Sequence, residues 1–275
     1  MKLSLVISLQ PTSFEALAFK GKKGEWLDPI LKKMKELGFE GVELALANPL
    51  EINQTRVLKI VNKYGLEVPA IGTGQAYLRD KLSFLNSDEA IRKRAVERIK
   101  RDVDFAKLFG GKVIIGLIRG KIGKRLDKAK ATNYFVESMK ACADYALEKN
   151  LNLVIEPINR YETDFINRAE EAIELINLIG VENVRLLLDT FHMNIEETSI
   201  EHTLETSKPY LSHVHVADSN RWAPGCGHLD FESIVRTLEK IGYRGYLSAE
   251  ILPLPDQLQA AQKTTSFFMG ISERL

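Results

Sequence analysis

Glu156, Asp189, His215 and Glu250 are residues of the kind that bind divalent cations and move protons, and they are spaced 33, 26 and 35 residues apart. Each lies at or just after the end of a short apolar run: 151–155, 184–188, 211–216 and 245–249. Three carboxylates and one imidazole suit Mn²⁺ first, then Mg²⁺ or Co²⁺, and are too rich in hard oxygen for a structural zinc site. Taken singly, each has a plainer reading. Asp189 could be the N-cap of a following helix, and either glutamate could pair with a base under the loops. Their recurrence on four successive runs argues for one shared metal site. His213 falls on the same side of its strand as His215, because side chains alternate with period two, and is read as a supporting or interior-filling residue.

Such convergence needs a scaffold with strand ends in a ring. Eight apolar runs, 3–9, 41–46, 67–71, 112–117, 151–155, 184–188, 211–216 and 245–249, are mostly continuous in Val, Ile and Leu, as expected of parallel strands covered on both faces. Helical periodicity fills the gaps, for example over 26–37, 88–108, 132–149, 168–179, 231–241 and 256–268. Gly38, Gly65, Gly110, Gly180 and Gly242 stand where helices should stop. With 275 residues, a unit averages about 34, the size a (β/α)8 TIM barrel requires. The competing open doubly wound sheet calls for a glycine-rich phosphate turn after the first strand, and Ser8-Leu-Gln-Pro-Thr12 is not one. No linker or composition shift divides the chain, so 1–275 is read as a single α/β domain.

Composition narrows the function classes. With 38 Lys+Arg against 37 Asp+Glu, the net charge of +1 provides no global field for nucleic acid or acidic membrane. Two cysteines make no disulfide framework, the N-terminal apolar stretch is a poor signal peptide, and no run approaches a membrane span. A cytoplasmic enzyme without nucleic-acid or membrane partners is expected.

Several segments are specific enough to name a family. Glu156-Pro-Ile-Asn-Arg-Tyr-Glu162, Asp189-Thr-Phe-His-Met-Asn-Ile-Glu-Glu197, His213-Val-His-Val-Ala-Asp-Ser-Asn-Arg221 and the Gly242-Tyr243 segment leading to Glu250 resemble the ketose 3-epimerases of the D-tagatose and D-psicose type, which share the xylose isomerase-like barrel. The segments 70–78, 113–117 and 220–228 resemble more closely the 5-keto-L-gluconate epimerases of a bacterial inositol-breakdown route. The resemblance covers essentially the whole chain. It implies metal ligation by Glu156, Asp189, His215 and Glu250, acid/base roles for the two glutamates, substrate contacts at Glu162, His192 and Arg221, and homo-oligomers, as dimers or tetramers. It also implies conversion of 5-keto-L-gluconate to D-tagaturonate. One departure is Asp218-Ser-Asn-Arg221, where sugar epimerases of the family tend to carry Glu-Ala-Asn-Arg. That loop is expected to touch substrate, so the departure counts against a neutral ketohexose.

The mechanism expected of these residues is C3 epimerisation through a cis-enediolate, with Glu156 and Glu250 on opposite faces of the substrate. Arg119, Arg160 and Arg221 near strand ends suggest an anionic group on the substrate, with pairing to protein carboxylates as the plainer reading. Gln75 is read as a contact to substrate hydroxyls or a loop-holding amide, and Trp222 as an apolar wall or a loop anchor. The basic segment 119–125 reads as a solvated loop, the 92–101 cluster as an ion-paired helix face, and Cys226 as an incidental thiol between two site-loop glycines. The alternatives are a C1/C2 ketose–aldose or hydroxypyruvate isomerase, a silent sugar-binding module, and an apurinic-type metal endonuclease. The endonuclease takes histidines from early strands, whereas all five histidines here lie at or beyond residue 192.

Overall fold

The structure is a computed structural model and describes residues 1–22, 25–124 and 126–274. Its parallel strands run in the order of the apolar segments: β1 (Lys2–Ser8), β2 (Phe19–Lys20), β3 (Gly41–Ala45), β4 (Ala70–Gly72), β5 (Lys112–Ile115), β6 (Leu153–Ile155), β7 (Val184–Asp189), β8 (Leu211–Val216) and β9 (Tyr246–Ala249). Pairing of β1 with β9 closes the sheet into a barrel of eight strands, and the two-residue β2 is an extra rung against the end of β1.

Side-chain alternation divides the residues between two environments. Val113, Ile115, Leu186, Leu188, Val214 and Val216 face outward into one large core shared with the helices. Ala70, Ile114, Val154 and Leu187, one each from β4 to β7, form a separate cluster inside the barrel. By the same alternation Glu43, His213, His215 and Ser248 also point inward. Register then places the site: Asp189 is the Cα partner of His215, and His215 that of Ser248.

The six helices read from periodicity are present. The one expected from residue 132 begins earlier, as Lys128–Glu148, because Asp127 accepts from the Lys130 amide at 2.8 Å and caps it there. The last reaches further, as Gln257–Ser272. The third apolar run forms regular strand only over Ala70–Gly72, with Glu67 reduced to an isolated bridge to Gly41. Pro69, between them, has no amide proton to give to a ladder. All five helix-stopping glycines have positive φ, and at Gly180 (φ 68°) the amide closes the helix onto the Ile176 carbonyl at 3.0 Å. Among the described residues, no helix is long and apolar enough to cross a membrane.

Candidate active site

The C-terminal rim of the barrel brings together the four residues selected from sequence spacing. Glu156, Asp189, His215 and Glu250 each offer a ligand atom within 4.8 Å of the others. Glu156 follows β6 and bends toward β5, where a Cβ on Gly116 would stand 2.8 Å from its Oε2, so any larger residue there would push the carboxylate out of its present place. Asp189 ends β7 and serves two purposes. Its Oδ1 accepts from the Phe191 amide at 2.8 Å, capping the helix Thr190–Glu196, and its Oδ2 faces the cluster. The cap and the ligand readings therefore coexist on one carboxylate.

His215 Nδ1 lies 3.5 Å from Glu156 Oε1 and 3.9 Å from both Asp189 Oδ2 and Glu250 Oε2. It is buried and has no hydrogen-bond partner. An orphaned imidazole nitrogen among three carboxylate oxygens is a donor arrangement that a divalent cation would satisfy, so the residues present fit such an ion.

Charge is distributed unevenly across the rim. Burial, with Glu156 and Asp189 adding to it and Arg221 opposing it, pushes the Glu250 carboxyl up to about 8. At Asp189 burial acts in the same direction but Arg221 overcomes it, bringing the carboxyl down to about 2. Burial disfavours a charged His215 ring, yet Glu43, Glu156 and Glu250 hold its pKa well above the ordinary value.

Glu43 is a residue that sequence reasoning missed. It is fully buried on β3 and accepts from His213 Nε2 at 2.8 Å, from His215 Nε2 at 3.0 Å and from Ser248 Oγ at 2.8 Å. The available signal was a lone glutamate inside the apolar run Gly-Val-Glu-Leu-Ala, since a buried acid normally requires partners. His213 proves to be one of those partners.

Around this floor lies a cavity of about 530 Å³ including its open mouth. Gln75, Glu162 and His192 line it, with Phe14, Leu78, Leu117 and Ile158 as an apolar wall. The Asn159 amide donates to Glu162 Oε1 at 2.9 Å and faces His192 Nδ1 at 2.8 Å. Burial lowers the His192 pKa, and with the Asn159 amide donating to Nδ1 the neutral ring carries its proton on Nε2, 4.0 Å from Glu156 Oε1. Gln75 donates to Ser8 Oγ at 2.7 Å, while its Oε1 is buried without a partner.

The arginines and Trp222 stand elsewhere. Arg221 reaches the cluster, but its guanidinium is held between Asp189 and Glu250. Arg119 is fully buried, donates to the Glu156 carbonyl, and lies outside the cavity lining, as does Trp222, whose amide donates to Asn220 Oδ1 at 3.1 Å. Arg160 is exposed and pairs with Glu196 at 2.8 Å. Asp218 is an internal tie of its loop, accepting from the Gly225 amide at 2.8 Å and the Leu229 amide at 3.2 Å, so the departure from the family pattern at this position sits away from the cavity. The glycines beside Cys226 are sterically required: a Cβ at Gly225 would meet the Phe267 ring at 2.4 Å and one at Gly227 would meet Asp218 Oδ1 at 2.2 Å. The basic segment ends in Arg125, which lies outside the described residues.

Known proteins agree with the architecture. The xylose isomerase-like TIM barrel family matches residues 31–267. The L-ribulose 3-epimerase of Methylomonas sp. (strain DH-1) is 32% identical over 215 residues, covering 78% of this chain and 74% of that protein. The 3-dehydro-D-guloside 4-epimerase of Escherichia coli (strain K12) is 28% identical over 229 residues, covering 79% and 84%. The crystal structure of a D-allulose 3-epimerase from Methylomonas sp. superposes with a TM-score of 0.81 at 25% identity, over 98% of each chain. The chain belongs to the xylose isomerase-like TIM barrel family.

Proposed function

We propose that this member of the family inverts a hydroxyl-bearing carbon beside a ketone in a keto-sugar or keto-sugar acid, with 5-keto-L-gluconate to D-tagaturonate as the first reaction to test. The observation that carries the reading is the meeting of Glu156, Asp189, Glu250 and the unpartnered His215 Nδ1 at the cavity floor. The named activities of the relatives support sugar epimerisation. The choice of a keto-acid rests on the sequence segments 70–78, 113–117 and 220–228 alone. Among the described residues, no arginine or lysine lines the cavity.

Glu156, Asp189, His215 and Glu250 would hold a divalent ion, Mn²⁺ first. Such an ion supplies charge stabilisation for the oxygens of an enediolate. The chain performs the proton transfers. Inversion needs removal of the proton from one face of the carbon and delivery to the other, and Glu156 and Glu250 come from β6 and β9, with two strands between them. One carboxylate takes the proton while the other, as the acid, returns one, and reaction direction decides which does which. The His192 Nε2–H donates to a substrate oxygen, and Glu162 and the free Gln75 Oε1 accept from substrate hydroxyls. Arg221 acts through Asp189 and Glu250 by fixing their positions.

The test is incubation of manganese-reconstituted protein with a panel of ketohexoses and keto-hexuronates in heavy water, followed by NMR. Solvent deuterium should appear on the inverted carbon of an epimeric product. A product free of deuterium would mean a hydride shift and would overturn the two-carboxylate mechanism, and an aldose product would move the chain to the C1/C2 isomerases.

A further inference from the structure

Inside the barrel, one turn of side chains below the rim, lies a second acid–imidazole group: Glu43, His213 and His215, all fully buried, with ligand-type atoms as close together as those of the rim cluster. His215 belongs to both groups. We propose that the inner group is not a second ion site but a strut, and that Glu43 is a positioning residue that decides which nitrogen of His215 meets the metal ion. This rests on the reading of Glu156, Asp189, His215 and Glu250 as metal ligands.

Hydrogen-bond chemistry carries the inference. A carboxylate only accepts, so every group facing Glu43 must donate. Its two oxygens receive His213 Nε2 at 2.8 Å, His215 Nε2 at 3.0 and 3.1 Å, and Ser248 Oγ at 2.8 Å. Both imidazoles therefore carry a proton on Nε2. With Nε2 committed to Glu43, the lone pair that His215 can offer an ion comes from Nδ1, the atom that stands among the three rim carboxylates. The sheet register makes this geometry stiff. Glu43 comes from β3, His213 and His215 from β8 and Ser248 from β9, so the carboxylate ties together strands from both sides of the β1–β9 seam. Using the inner group as a second ion site would require both nitrogens of His215 to lose their protons and would break the imidazole donations to Glu43.

The experiment compares wild type with Glu43→Gln and Ser248→Ala. Manganese binding is read from the EPR signal of the free ion, ring protonation from ¹⁵N-histidine NMR of the zinc-loaded protein, and folding from thermal melting. A glutamine has one acceptor oxygen for donors that now share two, so manganese affinity of Glu43→Gln should fall about ten- to a hundredfold. Stoichiometry should stay at one ion per chain, and turnover should largely recover at saturating manganese. Wild-type His215 should show a protonated Nε2 with the metal on Nδ1. Should Glu43→Gln fail to fold, Ser248→Ala, which removes one donor and leaves both rings intact, should still weaken manganese several-fold. Affinities within twofold of wild type in the folded variants would overturn the proposal, as would wild-type binding of two ions with one lost in Glu43→Gln. The epimerase reading is tested separately, because manganese binding without turnover of any keto-sugar would remove that reading and leave the role of Glu43 standing.

Discussion

The two halves of the barrel rim differ in what their strands present. On β6 to β9 the inward-facing residues at the rim are Glu156, Asp189, His215 and Glu250, whereas on β1, β3, β4 and β5 they are Ser8, Ala45, Gly72 and Gly116. Ala45, Gly72 and Gly116 line the cavity. One half carries charge and donors and the other is emptied of large side chains. In the proposed reaction the reacting carbon lies over the charged half and the bulk of the substrate over the other, which makes the small residues as much a part of the proposed site as the acids.

The most direct way to break this comparison is on the charged side. Glu250→Gln keeps the shape and removes a proton carrier, so kcat should fall on the order of 10²- to 10⁴-fold while sugar binding by the folded protein persists. Steady-state rates within tenfold of wild type would show that the chemistry lies elsewhere. Arg221→Ala comes next. Its guanidinium is bound to Asp189 and Glu250, so we expect about a hundredfold loss, equal on neutral and acidic keto-sugars, from displaced carboxylates. A loss confined to the acids would instead show Arg221 gripping a substrate carboxylate.

Acidity sharpens the same contrast. Because the Glu250 carboxyl is raised to about 8, below that pH it bears a proton that an incoming ion must displace. Manganese affinity should therefore rise by at least about tenfold per pH unit toward 8, since the His215 ring, also raised, gives up a proton to the ion as well, with proton release on binding detectable by calorimetry in buffers of different ionisation enthalpy. A flat profile from pH 6 to 9 would mean that the carboxylate cluster does not take up the ion. The emptied half is tested by filling it. Ala45→Leu should raise KM about tenfold and leave manganese affinity unchanged, whereas an equal effect on both would show that the halves are not separable.

Much of the charged half was legible in the sequence, because donor-type residues at the ends of apolar runs stand out and a repeat of about 34 residues supplies the ruler. The emptied half was not. Ala45, Gly72 and Gly116 are ordinary residues for buried strands, and only the path of Glu156 toward Gly116 shows why a side chain is missing there. Glu43 was hidden for the opposite reason: it is a charge inside an apolar run whose partners lie 170 to 205 positions away. Arg119 and Trp222 illustrate a third limit. Spacing puts a residue near a strand end but does not fix how a loop leaves it, and here neither lines the cavity. Proline at 69 and the cap at Asp127 explain the element boundaries that periodicity misplaced.

The divided carboxylate of Asp189 has a practical consequence for anyone wishing to trap a substrate complex. Alanine at 189 would delete a donor and also uncap the helix Thr190–Glu196, which carries His192, so an empty electron-density map would report a frayed segment as readily as a lost ligand. Asparagine keeps an oxygen for the Phe191 amide and caps about as well as aspartate. It is the substitution that would isolate the loss of a negative charge from the loss of a fold element.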